Sequence, residues 1–357
     1  MLVMIGSIAV HPPALAQRGR AAIDFHIAMR GTVSALQRQA ESELAGHGIV
    51  AATLPDDLDD RHRLIDATLA DSNAYRLRAL TAEWTARDHG PTCQAAFDEI
   101  ADTLVPRLDA LDEGPATLEL DPDLVPPDWF TRVWFHRTTG GWDASPYNGY
   151  VHGELIHKLI LTRVFGADIF AQRRAAAELA PRRDYARILD MGASSGHNMV
   201  ALAQVFSDAQ LSGVDYSGRM LEHARRIANE AGQPWRLYQR ACEATGFADQ
   251  SFDLVASYNM LHELPRGIIR AMFAETFRIL EPGGTMLVGD VPRYAELDKL
   301  AAWRFDHVAR YGGEPYWRVS ASTDLVALAR ELGFVAVSGQ AIGRGTPYVL
   351  VAAKPAS

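Results

Sequence analysis

The sequence is poor in cysteine and in long apolar runs, and each shortage excludes a class of protein. Cys93 and Cys242 are the only cysteines among 357 residues, too few for a disulfide framework or a cysteine-ligated zinc site. We therefore expect a reducing compartment, the cytoplasm. No run is long and apolar enough to span a bilayer, so we expect no membrane partner. Met1–Val10 is apolar but lacks a basic start, which favours a loosely ordered terminus over a signal peptide.

Positive charge is also in short supply. The chain has 35 Lys and Arg against 44 Asp and Glu, a formal net charge of -9. This balance argues against a broad nucleic-acid-binding surface and leaves a small molecule as the expected partner. A chain of this length with 48% hydrophobic residues has room for two domains, each with a core. We place them at residues 1–166 and 167–357.

The first domain is predicted to be mainly helical. Arg20–Gly46 has amphipathic spacing and ends in glycine, and Pro91 is placed to open a further helix. These residues carry no chemistry that we can identify. The expected role is a cap, a substrate cover or the surface of a homodimer.

Aromatic residues then crowd into a segment with few helical features, between residues 122 and 153. The set is Trp129, Phe130, Trp134, Phe135, Trp142, Tyr147 and Tyr150. Rings give a large, stiff surface for a flat ligand, so the segment could form a pocket wall. A hydrophobic plug between the two domains explains the same pattern, and both interpretations stay open.

Two histidines follow on a helix predicted to run to Phe165. His152 and His157 are five apart, whereas the zinc-protease helix has histidines four apart with a Glu directly after the first. On an α-helix they do not share one face, so we expect no metal there. His152 remains a candidate pocket residue, with a structural histidine as the alternative.

From about Asp168 onward the pattern alternates strand and helix, which predicts a doubly wound α/β sheet. We expect seven strands, with the last pair antiparallel, preceded by an all-α N-terminal domain. The predicted strands are Ile188–Met191, Gln210–Asp215, Trp235–Gln239, Phe252–Tyr258, Thr285–Asp290, Val335–Ser338 and Tyr348–Ala353.

The turn after the first of these strands has almost no side-chain volume. Asp190 ends the strand, and Gly192–Gly196 leads into a helix. A ligand can approach such a backbone closely and meet the free N–H groups of the helix start. Asp215 ends the second strand, where an acid accepts hydrogen bonds from a ribose. Together they predict a site for a nucleoside-bearing cofactor.

Five segments in register resemble the class I S-adenosylmethionine-dependent methyltransferases, in particular the group related to ubiquinone and menaquinone biosynthesis. The resemblance covers roughly residues 186–354 and leaves the N-terminal part unmatched. It implies a Rossmann-like methyltransferase sheet and S-adenosylmethionine as cofactor. The matching segments are Ile188–Gly196, Gly213–Ser217 with Met220-Leu221, Phe247–Val255, Met260–Leu264 and Phe277–Gly284.

The resemblance also implies roles for single residues. Gly192, Ser194 and Gly196 would border the methionine part of the cofactor, with Asp190 near its ammonium group. Asp215 would hold the ribose, Tyr216 would lie against the adenine, Cys242 and Glu243 would flank the adenine edge, and Tyr258 would contribute backbone. Two positions depart from the family pattern: Ser194 replaces a glycine, and Ala241 stands where many members have an Asp.

Three other functions use the same turn. Gly192–Gly196 also fits the nucleophile elbow of hydrolases, with Ser194 as nucleophile and with Asp290 and His307 following in the right order. A nicotinamide dehydrogenase is less well matched, because it prefers three glycines spaced G-x-G-x-x-G. A protein could also bind S-adenosylmethionine without transferring its methyl group.

Methyl transfer needs a positioned acceptor and, for a protonated one, a general base. His262, just past the fourth strand, is the leading candidate, with His152 and Tyr147 next. Asp290, His307 and Tyr316 are weaker candidates. The aromatic residues predict a small acceptor that is flat or apolar.

Overall fold

In the computed structural model, which describes residues 14–356 except 139, 167 and 344, the strands form one mixed sheet. Met1–Val10, where we expect a loosely ordered terminus, lies outside these residues. The strand order is β1-β4-β3-β2-β5-β6-β8-β7. The strands are β1 (Thr117–Glu119), β2 (Arg187–Met191), β3 (Gln210–Asp215), β4 (Arg236–Gln239), β5 (Phe252–Tyr258), β6 (Leu280–Asp290), β7 (Val335–Ala341) and β8 (Tyr348–Ala353).

The first six strands pair in parallel, and β8 pairs antiparallel with both β6 and β7. The doubly wound sheet with an antiparallel last pair is thereby confirmed. Because the chain order reverses beside β2, where β3 lies on one side and β5 on the other, a ligand crevice is expected at the carboxyl end of β2.

The sheet has eight strands rather than seven, and the extra one comes from the part expected to be all-α. β1 is three residues long and pairs in parallel with β4. Its place is fixed by distant partners: the N–H of Ala116 donates to Asn229, and the N–H of Thr117 donates to the carbonyl of Trp235. Three residues carry no readable alternation, so tertiary contacts alone define this strand.

Helices cover both faces of the sheet and build most of the N-terminal part. They are α1 (Gln17–Gly46), α2 (Leu58–Thr68), α3 (Asn73–Asp98), α4 (Ala101–Ala110), α5 (Asp128–Thr131), α6 (Asn148–Tyr150), a π-helix (Val151–Leu161), α7 (Thr162–Phe165), α8 (Ile169–Ala177), α9 (His197–Val205), α10 (Gly218–Glu230), α11 (Arg266–Ile279), α12 (Lys299–Gly312), α13 (Trp317–Ser322) and α14 (Leu325–Glu331).

Pro91 lies inside α3 and does not open a helix. Proline removes one helical hydrogen bond, but α3 is held on both sides of it by buried residues such as Ala86 and Phe97. Packing therefore carries the helix through the proline.

The core forms on both faces of the parallel strands. β5 is buried along its whole length, and its successive residues alternate between two clusters. Leu254 packs with Ile188 on one face, whereas Val255 packs with Leu189 on the other. A third cluster joins Trp303 of α12 to the N-terminal helices through Leu44 and Ile65. These contacts hold α12 and the N-terminal helices over the carboxyl ends of the strands.

None of the helices that the structure describes is long and apolar enough to cross a membrane.

Candidate active site

A cavity of about 1160 Å³ opens at the carboxyl ends of the parallel strands. We call the turn after β2 its floor; α1, α3 and α12 also contribute residues to its wall. Pockets for one small ligand usually enclose ~300–1,000 Å³. This cavity therefore has room for two small molecules side by side.

The floor is the small-residue turn that the sequence predicts. Gly192 has φ +74°, and a side chain there would collide with Met260. Ser194 also has a positive φ, 47°, so a serine takes a backbone conformation that glycine adopts most easily. The helix that follows, α9, has no side-chain cap, so its first N–H groups remain available beside the cavity.

Asp215 connects the turn to the next strand. Its carboxylate accepts hydrogen bonds from the N–H of Ser194 at 2.9 Å and from the N–H of Ser217 at 2.9 Å. It lines the cavity, and burial raises its pKa to about 7. Its free lone pairs are available to a hydroxyl group in the cavity.

Asp190 lies behind the turn and is not part of the cavity wall. It is fully buried and accepts a hydrogen bond from Asn198 at 2.8 Å, while its second oxygen has no partner. Burial raises its pKa to about 7. Asp190 is therefore connected to the cavity through Asn198, which does line it.

Two of the predicted adenine contacts line the cavity, and one does not. Tyr216 and Cys242 line it. Glu243 does not line the cavity. Its carboxylate accepts a hydrogen bond from the hydroxyl group of Tyr216 at 2.8 Å. Its role in this geometry is to orient Tyr216, whose ring also lies 5.3 Å from that of Phe130.

Gly196 also differs from its predicted role. A Cβ there would lie 3.0 Å from the Cβ of Ala224 and 3.1 Å from the Trp235 ring. It is absent from the cavity wall and permits close helix packing instead. Tyr258, in contrast, lines the cavity, and its predicted backbone contact with the cofactor stays a prediction.

Arg173 is a cavity residue that the sequence reasoning missed. Its guanidinium lies 4.8 Å from the centre of the Tyr258 ring and donates to the carbonyl of Ile169 at 3.0 Å. Its Nε has no partner, and no ion pair to it occurs among the described residues. The residue sits on α8 in a pattern typical of any surface helix, so no sequence signal marks it.

The predicted catalytic role of Tyr147 is contradicted by its position. Its hydroxyl donates to Asp109 at 2.8 Å, and the guanidinium of Arg226 lies over its ring. The side chain stacks on Phe97, away from the cavity. Tyr147 therefore serves packing between α4 and α10.

His152 and His157 are neighbours in space, contrary to the expectation from their spacing. They lie on the π-helix, whose hydrogen bonds join residues five apart, so both face the same side. Their ring centres are 4.3 Å apart, and both line the cavity. Burial lowers the pKa of each well below its usual value, so both are neutral at pH 7. Among the described residues, no group of three or more potential ligands could hold a metal ion.

Five titratable side chains form a continuous series along one wall, which we call the histidine–carboxylate array: Asp290, His262, Glu263, His136 and Glu314. The Nδ1 of His262 lies 3.0 Å from Asp290, and its Nε2 lies 3.9 Å from Glu263. His136 bridges Glu263 at 3.3 Å and Glu314 at 2.5 Å. His136 has a positive φ of 52°, a conformation that costs energy and persists where surrounding contacts hold it.

Charge balance keeps both histidines of the array protonated. Burial by itself would lower the pKa of His262, but Asp290 and the other carboxylates outweigh it and raise the pKa to about 9. The same opposition raises the pKa of His136 to about 10, with Glu314 as the main partner. At neutral pH His262 is therefore a cation, and it must lose a proton before it can act as a base.

Replacing His262 with Gln is expected to destabilise the protein at low pH much more than at high pH. The folded-state pKa lies above the usual 6.5. The stabilisation is therefore complete below about pH 6.5 and is lost as the pH rises through about 9. We expect a cost of roughly 3 kcal/mol at pH 6 that largely disappears at pH 10. Urea unfolding of both proteins across this range measures it.

An Asp290→Asn background provides the control, because it removes the main partner of His262. There the His262→Gln replacement should have much less pH-dependent cost. An equal cost at both pH values in the native background would contradict a cationic His262.

The hydrolase hypothesis does not survive the geometry. Asp290 holds His262, whereas His307 contacts Tyr75 at 2.9 Å and Arg78. In the part of the chain that the structure describes, no histidine lies within hydrogen-bond distance of the Ser194 hydroxyl. His307 and Tyr316 do not line the cavity. Their positions therefore do not support either of them as a general base.

Comparison with known proteins places a methyltransferase domain at the centre of the sheet. Residues 188–284 match the family described as "Methyltransferase domain". Demethylmenaquinone methyltransferase of Thermus thermophilus is 30% identical over 142 residues, which are 39% of this chain and 60% of that protein. Arsenite methyltransferase of Mus musculus is 24% identical over 208 residues, covering 54% of this chain and 50% of that protein. The chain thus spans between half and two thirds of these relatives.

Solved structures are also similar. Phosphoethanolamine N-methyltransferase 2 of Haemonchus contortus, in complex with S-adenosyl-L-methionine, aligns with 18% identity and a TM-score of 0.41 over 52% of each chain. A protein of Bordetella parapertussis aligns with 17% identity and a TM-score of 0.42 over 92% of this chain and 97% of its own.

The residues of the cavity fit S-adenosylmethionine. A Cβ would obstruct the floor at Gly192, Asp215 offers free lone pairs, and the guanidinium of Arg173 has no anion. The bare backbone at Gly192 suits a ligand that approaches closely, Asp215 suits a ribose, and Arg173 suits a carboxylate. Residues 188–284 form a methyltransferase domain, and the resemblance to the class I S-adenosylmethionine-dependent methyltransferases, with S-adenosylmethionine as cofactor, is confirmed.

Proposed function

We propose that the whole protein transfers a methyl group from S-adenosylmethionine to a small acceptor bound in the same cavity. The observation that carries this proposal is the continuity of the cavity. It joins Gly192 and Asp215 on the cofactor side to Phe135 and Trp142 on the aromatic side. In this proposal residues 1–166 act as the substrate cover.

The cofactor would be held by residues from four parts of the fold: the turn after β2, the end of β3, the loop after β4 and α8. Asp215 would bind the ribose hydroxyls, Tyr216 and Cys242 would contact the adenine, and Arg173 would pair with the carboxylate. The turn at Gly192 and Ser194 would border the methionine chain. When bound, S-adenosylmethionine supplies a methyl group already activated by its sulfonium. The protein then has to position the acceptor and exclude water, and positioning can lower a barrier by ~7–11 kcal/mol.

A proton, where the acceptor carries one, would leave through one of the cavity histidines. His152 is neutral at pH 7 and needs no prior deprotonation, but its low pKa makes it a weak base. His262 is the stronger base of the two once its own proton has been lost. We retain both as candidates, with His262 effective only as the pH approaches 9.

The aromatic wall supports a flat acceptor. Phe135 and Trp142 are stacked with ring centres 6.0 Å apart, and Trp142 meets His152 edge-on at 4.6 Å. The histidine–carboxylate array, whose His136 ring lies 5.4 Å from that of Trp142, argues against a wholly apolar acceptor, because it offers polar partners beside the aromatic wall.

The proposal is tested by incubating the protein with S-adenosylmethionine that carries a labelled methyl group and with a cell extract. Mass spectrometry should find a labelled product together with S-adenosylhomocysteine. Cofactor binding without any labelled product would instead favour a protein that uses S-adenosylmethionine as a structural element.

We further propose a homodimer formed through the N-terminal helices, in the cytoplasm. Phe25, Leu77, Leu80 and Trp84 are exposed on α1 and α3, and the rings of Phe25 and Trp84 lie 6.0 Å apart. Such a patch supports association. Both cysteines are free and buried, which suits a reducing compartment.

A further inference from the structure

Arg30 is an unpaired cation in the wall of the cavity. It projects from α1, is half-buried and lines the cavity. No hydrogen bond or ion pair to its guanidinium occurs among the residues that the structure describes. Every other described arginine that is buried or half-buried has a hydrogen bond or an ion pair. Arg30 therefore differs from the arginines that serve only to hold the fold together.

No carboxylate among the described residues lies within ion-pair distance of Arg30. Asp88 is engaged by His26 at 3.3 Å and by Thr92 at 2.9 Å. Burial lowers the pKa of His89 to about 3, so this neighbour is uncharged. Glu314 attracts Arg30 but lies beyond ion-pair distance, and one of its oxygens is taken by His136.

A half-buried guanidinium without an anion is costly, since its charge has lost water without gaining a partner. Its planar set of donors matches a carboxylate, which it can bind through two parallel hydrogen bonds. One guanidinium without an ion-pair partner, beside a neutral histidine, suits a ligand with a single negative charge. This favours a carboxylate over a doubly charged phosphate.

Arg30 and the glycine turn come from different elements, α1 and the turn after β2, and both line the one cavity. The histidine–carboxylate array runs from Asp290 at the end of β6 to Glu314, which is the carboxylate that attracts Arg30. A ligand held by Arg30 would lie along this array and against Phe135 and Trp142. Its other end would point toward His262 and the glycine turn.

We propose that the methyl acceptor is a planar carboxylate, with its carboxylate bound by Arg30 and its flat body against Phe135 and Trp142. This inference rests on the proposed methyl transfer and specifies its substrate class. Arg30 selects the acceptor and takes no part in the chemistry.

The test uses the full-length protein loaded with S-adenosylhomocysteine. The probes are benzoate, 4-hydroxybenzoate and cinnamate, each compared with its neutral amide and with phenyl phosphate by isothermal titration calorimetry. At least one acid should bind about 10-fold or more tighter than its amide, which is the scale expected for a charge-assisted hydrogen bond. Arg30→Gln should abolish this preference. Arg38→Gln, an exposed arginine on the same helix, should preserve it.

Each alternative outcome overturns the inference. Equal binding of acid and amide, tighter binding of phenyl phosphate, an undiminished preference in Arg30→Gln, or no binding of any acid would each do so.

Titration with S-adenosylhomocysteine alone separates the two proposals. If the wild type binds S-adenosylhomocysteine and the acids fail, the substrate class is wrong; if S-adenosylhomocysteine itself fails to bind, the proposed function is wrong. Retained S-adenosylhomocysteine binding shows that Arg30→Gln is folded.

Discussion

Asp215→Ala should weaken S-adenosylhomocysteine binding by about 100-fold, because the carboxylate acts in two ways. It offers lone pairs to the ribose, and it fixes the N–H of Ser194 and thereby the glycine turn. Removing one partner of a buried, charged hydrogen-bonded pair costs ~2–5 kcal/mol in binding, and 2.7 kcal/mol corresponds to about 100-fold in Kd. Isothermal titration calorimetry measures the loss.

Ser194→Ala is the matched control, because the contact to Asp215 comes from the backbone N–H of residue 194 and remains in the variant. Its Kd for S-adenosylhomocysteine should stay within about threefold of wild type, since a surface-like side-chain change usually costs less than ~0.5 kcal/mol. Unchanged binding in Asp215→Ala would remove Asp215 from the cofactor site. Loss of function in Ser194→Ala would revive the hydrolase hypothesis.

Gly192→Ala should lower the free energy of unfolding by roughly 2–4 kcal/mol and abolish S-adenosylhomocysteine binding. Two penalties combine: a left-handed backbone at φ +74° and a collision with Met260. Each costs on the order of 1–3 kcal/mol. Urea unfolding gives the stability, and calorimetry gives the binding.

Gly232→Ala separates the two penalties. Gly232 has φ +64°, and a Cβ there would meet nothing within 4 Å, so this variant carries the backbone penalty alone. Combining Gly192→Ala with Met260→Ala should recover the part that is due to the collision. If Gly192→Ala proves no more costly than Gly232→Ala and still binds S-adenosylhomocysteine, the turn is not the tight floor described above.

The inner strands of the sheet could be predicted from sequence because they are buried. The parallel strands β3 and β5 and the antiparallel strand β8 begin and end at the predicted residues, since apolar runs bounded by turns define buried strands. Asp215 could also be placed, because a residue at the end of a parallel strand faces the ligand edge in any fold of this kind.

The rest of the cavity could not be predicted, because it depends on how helices pack. Arg30 and Arg173 lie on α1 and α8, and only tertiary packing brings both to one cavity. His136 takes a left-handed conformation that no residue pattern announces. The same limit explains Glu243 and Gly196, which the family pattern places at the cofactor but which here orient a ring and pack a helix.

The π-helix shows where a sequence rule itself was insufficient. Judging His152 and His157 by an α-helical repeat separates them, whereas the wider turn brings their rings to 4.3 Å. π-helical turns are rare and occur frequently at functional sites. Two histidines five residues apart match the hydrogen-bond spacing of a π-helix. This spacing is the sequence signal that could have indicated the π-helix.

Titration of the wild-type protein with S-adenosylhomocysteine and with NAD tests the central claim most directly. S-adenosylhomocysteine should bind at one site per chain and, at 100 times its Kd, should add ~2.7 kcal/mol to the free energy of unfolding. NAD should leave the protein unchanged. Binding of NAD with no response to S-adenosylhomocysteine would contradict the assignment of this cavity to a methyl donor.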